Sequence, residues 1–183
     1  ADYPYALESN PLLYDIVRGN PTGPVHNTSH KDYSGGWMTD IFLHQKEIKE
    51  VDKLVGWIYK ILPSITHKFT GSNTLYNPQN YTTNLGGGGE YNIDMTKLNI
   101  PECWGILYNK GEGVRKHNHV PYFLSFAYCV NAPKGSSPLI IEGERILPVA
   151  GRVIFFLSHQ FHSVPPNKYG GRCSIVGNIS YVP

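Results

Sequence analysis

The second half of the chain consists of short apolar segments separated by turn residues, and few folds can accommodate this pattern. The separators KGEG, APKGSS and PNKYGG combine Gly, Pro, Asn and Ser, which favour tight turns. The apolar residues between them show no helical spacing, which argues against the crossover helices of a parallel sheet. Eight strands within about 80 residues predict a β-sandwich or jelly roll. The predicted strands are 103–109, 114–119, 122–132, 138–142, 145–149, 152–157, 161–165 and 172–182.

The first half contains one clear helical pattern. In residues 44–62 apolar side chains recur at intervals of three and four, and Pro63 is expected to end this amphipathic helix. Residues 1–40 are interrupted by Pro, Gly, Asn and Ser, which predicts loops with a short strand or a turn of helix. The polar stretch 64–100 contains Gly86–Gly89, which we interpret as a flexible surface loop, with the hinge of a mobile lid as the alternative.

These patterns predict a mainly β (α+β) protein, a jelly roll with an N-terminal helix and loop layer. The length of 183 residues suits one domain rather than two. We therefore expect a single domain over residues 1–183. Residues 1–100 would form the helical and loop layer, and residues 101–183 the jelly-roll core.

Composition excludes several classes of protein. The formal net charge is only +2, and no dense basic block suggests a nucleic-acid partner. Three cysteines without a CxxC pair argue against a disulfide framework and favour a reducing compartment. No apolar run approaches the ~20 residues of a membrane helix, and the N-terminus lacks the layout of a signal peptide. We expect a cytoplasmic protein without membrane contact, and whether it forms a homo-oligomer is left open.

Two close histidine pairs lie in the predicted strands. His117 and His119 flank one residue, so strand alternation places their side chains on the same face. Such a pair can hold a metal ion, because imidazole suits Fe, Zn, Cu and Ni. His162, in a strand that could lie opposite, is the expected third ligand. His159 is its less favoured rival, because it sits at the turn between the two strands. The same spacing also arises by chance, in which case these histidines would be packed or exposed side chains.

Carboxylates are scarce in this half of the chain. After Asp94 there is no Asp, and no acidic residue stands two positions after a histidine. A metal site here would therefore use three histidines or borrow a carboxylate from a loop. The acidic residues available are Glu102, Glu112, Glu142 and Glu144.

Arg172 and Ser174 share one face of the last predicted strand. A fixed guanidinium binds a carboxylate through two parallel hydrogen bonds, and a neighbouring hydroxyl can add a third. The alternative is a surface arginine that closes a hairpin. Together with the histidine pattern, Arg172 becomes a candidate anchor for an anionic co-substrate.

The segments WGILYNKGEGVRKHNHVPYFLSFAY and LPVAGRVIFFLSHQFHSVPPNKYGGRCSIVGNISY carry a family pattern. They resemble the 2-oxoglutarate- and Fe(II)-dependent oxygenases found in marine bacteria and their phages, which fold as a double-stranded β-helix. The resemblance covers residues 103–183. Where most of this superfamily has Asp or Glu two residues after the first histidine, this chain has His119. The matching positions are Trp104, Gly111, His117, His119, Pro148, Gly151, Phe156, Ser158, His162, Val164, Arg172, Ser174 and Asn178.

The resemblance implies an oxygenase that uses Fe(II), 2-oxoglutarate and O2 to hydroxylate an unidentified small molecule or peptide. His117, His119 and His162 would bind the iron. Arg172, helped by Ser174, would hold the far carboxylate of 2-oxoglutarate. Further candidates for the pocket wall, for which ordinary strand packing is the alternative, are Tyr108, Asn109, Tyr128 and Asn178.

Two other functions remain compatible with the sequence. The first is a cupin-like metalloenzyme that uses three histidines without 2-oxoglutarate, in which Arg172 would bind the substrate itself. The second is a non-catalytic jelly-roll binding module in which the histidines have no role. Binding of Fe(II) and 2-oxoglutarate distinguishes both from the oxygenase.

Overall fold

The computed structural model describes residues 1–20, 36–70 and 97–182, with side chains described only to residue 65 in the second helix. The segment Gly86–Gly89, for which a surface loop or a hinge is predicted, lies outside these residues. The helices are α1 (Ala6–Gly19) and α2 (Lys49–Thr70). The strands are β1 (Trp37–Met38), β2 (Leu98–Tyr108), β3 (Val114–His117), β4 (Leu124–Asn131), β5 (Leu139–Ile141), β6 (Glu144–Ile146), β7 (Val153–Leu157), β8 (His162–Val164) and β9 (Arg172–Tyr181).

The strands form two antiparallel sheets. One has five strands in the order β1-β2-β9-β4-β7, and the other has four in the order β3-β8-β5-β6. All eight predicted strands are present, and the short β1 adds an edge by pairing with β2. The predicted jelly roll is therefore confirmed, and its long strands β2 and β9 form the centre of the larger sheet.

The expectation of loops in residues 1–40 is wrong for α1, which includes Pro11. Proline lacks an N–H and costs ~3 kcal/mol in a helix interior. Burial of Leu13 and Val17 in the same apolar cluster as β2 and β4 offsets this cost. Tertiary packing, rather than local propensity, therefore stabilises the helix.

Helix α2 confirms the amphipathic pattern, but it continues through Pro63 to Thr70. The prediction that Pro63 ends the helix is therefore wrong. Pro63 is exposed, whereas Leu54, Ile58 and Leu62 on the opposite face are almost fully buried. The proline ring thus does not enter the packed interface, and the helix continues past it.

Apolar side chains form two layers. One cluster lies between the helices and the five-stranded sheet and includes Leu13, Leu54 and Tyr128. The other lies between the two sheets and includes Trp104, Tyr108 and Phe156. Both faces of the five-stranded sheet are consequently buried. No helix in the described residues is long and apolar enough to cross a membrane.

Two glycines allow close contacts that position these layers. A Cβ on Gly105 would lie 2.4 Å from a methyl group of Val17, so α1 rests directly on β2 at this point. A Cβ on Gly177 would lie 2.6 Å from the ring of Phe126, its partner across β4 and β9. The large Phe126 ring thus fits because Gly177, opposite it, has no side chain.

Candidate metal centre

Strand pairing brings the three predicted histidines together. His117 ends β3 and is the register partner of His162 at the start of β8. His119 follows β3, and its backbone N–H donates to the carbonyl oxygen of Ser158, 2.8 Å away, which ties this segment to the turn after β7. One ligand nitrogen from each of the three rings lies within 4.8 Å of the others. His159, the rival third ligand, is exposed in that turn and outside the cluster.

Backbone carbonyls orient two of the rings. The Nδ1 atom of His117 lies 2.8 Å from the oxygen of Arg115, and that of His162 lies 3.2 Å from the oxygen of Gln160. Each Nδ1 carries the proton for this hydrogen bond, which leaves the Nε2 lone pair free to act as a ligand. The rings are therefore set in the tautomer that metal binding requires.

Burial keeps two of the three rings, His119 and His162, uncharged. Burial, together with the neighbouring His162 and His117, lowers the pKa of His119 to about 3. Burial likewise lowers the pKa of His162 to about 4, with His117 adding to the effect. Phe156 and Trp104 pack beside these rings. At neutral pH both imidazoles are therefore neutral, and each has one lone pair that a metal ion can use.

The donor set fits a transition metal. Three neutral imidazoles suit Fe, Zn, Cu or Ni better than Mg or Ca, which prefer oxygen ligands. Within the described residues this is the one group of three or more His, Cys, Asp or Glu side chains placed to hold an ion. No carboxylate belongs to it, so the loop carboxylate considered from the sequence does not join the three histidines here.

Arg172 lies inside the jelly roll, on the same cavity as the histidines. This inner cavity of about 50 Å³ is also bordered by Tyr108 and Ser174. Arg172 is only 5% exposed, and its Nε has no hydrogen-bond partner. No carboxylate of the described residues forms an ion pair with it. A buried guanidinium without a counter-charge is costly, so the inner cavity is suited to an anion.

Tyr108 is the register partner of Arg172 across β2 and β9. The guanidinium carbon lies 5.0 Å from the centre of the Tyr108 ring, a cation–π distance. Burial raises the pKa of Tyr108, and the charge and hydrogen bond of Arg172 oppose this rise only in part. Tyr108 therefore keeps its proton at neutral pH and offers a neutral hydroxyl beside the cation.

The other predicted pocket residues are placed differently. Asn178 is buried and borders an outer cavity rather than the inner one. Tyr128 points toward the helices, where its hydroxyl donates to the side-chain oxygen of Asn10. Asn109 is exposed in the turn after β2, and its N–H donates to Glu112. The expectation that Tyr128 and Asn109 line the pocket is therefore wrong.

A second, outer cavity of about 240 Å³ lies against two of the three histidines, His117 and His119. Its wall and that of the inner cavity share Trp104, His117 and His119. It also contains Glu102, which the sequence indicated only as one of four available acids, because it stands just before a predicted strand and has no motif around it. The remaining residues of the outer cavity are Met38, Ile41, Asn118, Val120, Tyr122 and Asn178.

No protein-family model matches the sequence, and no curated protein matches it. Solved structures do match the fold. A prolyl-4-hydroxylase from Pseudomonas putida is 18% identical over 96% of this chain and 88% of that chain, with a TM-score of 0.61. A collagen prolyl hydroxylase of Paramecium bursaria Chlorella virus-1, solved with 2-oxoglutarate, is 16% identical over 95% and 90%, with a TM-score of 0.64.

A third structure carries a broader description. The oxidoreductase of the 2-oxoglutarate–Fe(II) oxygenase family from Burkholderia pseudomallei is 12% identical over 93% of this chain and 78% of that chain, with a TM-score of 0.62. At these identities the comparisons establish the fold. The resemblance predicted from the sequence is thus confirmed at the level of the fold, which is that of the 2-oxoglutarate- and Fe(II)-dependent oxygenases.

Proposed function

We propose that the protein is an Fe(II)- and 2-oxoglutarate-dependent oxygenase that hydroxylates a C–H bond of its substrate. The observation that carries this proposal is Arg172, a buried cation with an unpartnered Nε on the cavity that the three histidines border. A dicarboxylate that reaches the metal at one end would bring its other carboxylate to this arginine. The common fold with solved 2-oxoglutarate oxygenases supports the same reading.

His117, His119 and His162 would hold the iron through their Nε2 atoms. When bound, Fe(II) with 2-oxoglutarate supplies the activation of O2 that such oxidations require. Three neutral ligands contribute no negative charge, unlike a set of two histidines and one carboxylate. The two carboxylates of 2-oxoglutarate would then be the main counter-charge to the metal and to Arg172.

The residues of the inner cavity other than the histidines would hold the co-substrate and keep water out. Arg172 would donate to the far carboxylate, with the hydroxyls of Tyr108 and Ser174 beside it. Val114, Leu139 and Val164 cover the same space with apolar surface. Because the surroundings are apolar, each of these hydrogen bonds to an anion is stronger than in water.

The substrate is proposed here as a class, a peptide or a small molecule. Two of the structures with this fold are described as prolyl hydroxylases, enzymes that act on prolyl residues. We infer that a peptide or a small molecule enters from the outer cavity, because the inner cavity contains Arg172, the proposed anchor of the co-substrate. O2 would be the second co-substrate.

The deciding experiment is an anaerobic titration of the wild-type protein. Fe(II) is added first and 2-oxoglutarate second, while the weak visible charge-transfer band of the ternary complex is recorded. Calorimetry with Mn(II) in place of iron measures the 2-oxoglutarate affinity independently. A three-histidine enzyme of the cupin-like kind would bind metal without 2-oxoglutarate, and a binding module would bind neither.

A further inference from the structure

The outer cavity contains one acidic side chain. Glu102 is partly buried and borders the cavity together with His117 and His119. No Lys or Arg of the described residues lines this cavity. A substrate entering here would therefore meet a single negative charge on its way to the histidine cluster.

A buried hydrogen-bond network fixes the position of this carboxylate. The Nδ2 atom of Asn178 donates to Glu102 Oε2 at 2.9 Å, and the Oγ of Ser125 donates to Asn178 Oδ1 at 2.9 Å. Ser158 continues the network at 2.8 Å from Ser125. The register of β2 against β9 is irregular between Asn99 and Glu102, which re-aims the side chain at this point.

The partners of Glu102 leave its charge uncompensated. Asn178 is a neutral donor, and so is Tyr122, whose hydroxyl hydrogen-bonds to the carboxylate. No Lys or Arg of the described residues forms an ion pair with Glu102. Neutral donors stabilise a carboxylate without cancelling its field, so a cation entering the cavity would be attracted to it.

The other walls of the outer cavity suit an apolar chain that ends in a cation. Met38, Ile41 and Val120 offer apolar surface, and the rings of Trp104 and Tyr122 add aromatic faces. Aromatic faces attract ammonium and guanidinium groups, and apolar surface packs against methylene stems. The cavity therefore combines the two features by which a basic side chain is recognised.

We infer that the outer cavity binds a substrate with an ammonium or guanidinium group on an aliphatic stem, and that Glu102 anchors this group. The inference rests on the proposed function and specifies its substrate class. With the cation at Glu102, the stem would extend along the cavity whose wall includes His117 and His119. Asn178 is a positioning residue, because it acts through Glu102.

This chemistry could come from a free amino acid or from a basic residue in a peptide, and a binding panel separates the two sources. The panel contains free L-lysine and L-arginine, and blocked tripeptides with a central Lys or Arg. The matched neutral ligands are norleucine and citrulline, in free and peptide form. Binding is measured by calorimetry on the protein loaded with Mn(II) and 2-oxoglutarate, and repeated on the metal-free protein.

We expect at least one cationic ligand to bind tenfold more tightly than its neutral counterpart. Glu102→Gln should weaken it at least tenfold, Glu102→Asp should retain part of the affinity, and Glu144→Gln should change nothing. Glu144 is a suitable control because it is an exposed acid in β6. Thermal unfolding of each variant shows whether the loss of binding arises from loss of folding.

Equal binding of neutral and cationic ligands, no binding of any cation, or unchanged affinity in a folded Glu102→Gln variant would each overturn the inference. The 2-oxoglutarate titration of the wild-type protein tests the proposed function separately. Binding of 2-oxoglutarate without any cation leaves the oxygenase and removes the basic substrate. Cation binding that depends on Glu102 supports the anchor even if 2-oxoglutarate does not bind.

Discussion

The Nε2 atoms of His119 and His162 lie 3.2 Å apart; both residues border the cavity that contains Arg172, and His119 also borders the cavity that contains Glu102. Two imidazole nitrogens at this distance must share a proton or a cation, since two bare lone pairs would repel. His162 offers a lone pair here, because its other nitrogen donates to a backbone carbonyl. A metal ion in place of the shared proton would satisfy both rings.

The three clustered histidines should each be needed for iron. Alanine at His117, His119 or His162 removes one of three ligands, and we expect each variant to retain much less iron than the wild type. His159→Ala is the matched control, because this exposed histidine lies outside the cluster. Elemental analysis of the purified proteins measures the outcome. Iron lost from the His159 variant and kept by the His162 variant would identify a different third ligand.

Replacing His119 with aspartate tests the missing carboxylate. The substitution puts a charged ligand where most of the superfamily that the sequence resembles has one, so Fe(II) affinity should stay equal or rise. Activity can still fall, because the rings of Trp104 and His162 pack around an imidazole. Competition against a metal-binding dye gives the affinity. A loss of tenfold or more, about 1.4 kcal/mol, would contradict the assignment of His119 to that position.

Arg172→Ala should weaken 2-oxoglutarate binding and leave the iron content nearly unchanged. Removing one partner of a buried charge pair costs roughly 2–5 kcal/mol, or about 30-fold to several thousand-fold in affinity. Arg172→Lys keeps the charge without the planar fork, so its loss should be smaller. Anaerobic calorimetry on Mn(II)-loaded protein measures both. Unchanged affinity in the alanine variant would remove the argument for 2-oxoglutarate.

The stability of the metal-free protein should fall in acid because of the buried histidines. The pKa of His162 is lowered to about 4 in the folded protein, whereas a histidine in the unfolded chain titrates near ~6.5. Between these values the unfolded state binds the additional proton, so the free energy of unfolding decreases as pH falls from about 6.5 to about 4.

The variant His162→Gln isolates this contribution. Its free energy of unfolding should depend less on pH than that of the wild type, by ~1.4 kcal/mol per pH unit within this range. Urea unfolding at several pH values, with a chelator present, gives the two slopes. Identical slopes would mean that His162 accepts a proton in the folded state as readily as in the unfolded chain.

Substitutions at Gly105 and Val17 test whether α1 packs directly on β2. A Cβ on Gly105 would meet the Val17 methyl group at 2.4 Å, so Gly105→Ala should destabilise the protein by about 1–3 kcal/mol. Val17→Ala makes room for that Cβ, although it also leaves a cavity. The double variant should therefore lose less stability than the sum of the single variants, as measured by urea unfolding. Additive losses would argue against direct contact at this point.

Much of the candidate site could be predicted from the sequence because its signals are local. Strand alternation placed His117 and His119 on one side, and turn residues such as KGEG delimited the strands around them. His162 and Arg172 followed from their places in the last strands and from the resemblance to a known family. These inferences require only neighbouring residues or the order of motifs along the chain.

Other features depended on which strands and helices lie side by side. Tyr128 could not be assigned to a face, because both sides of the five-stranded sheet are buried and β4 shows no polar alternation. Helix α1 was missed because Pro11 and the exposed Leu7 and Leu12 obscure its apolar face.

The sequence by itself determined the strand pattern, the histidine and arginine candidates and the fold class. Only the tertiary structure decided that Glu102 meets Asn178 across β2 and β9. It also placed His117 and His119 in the wall shared by two cavities, one lined by Arg172 and the other by Glu102. The physical reason is that pairing between distant strands depends on the burial of the whole sheet, which no local stretch of residues encodes.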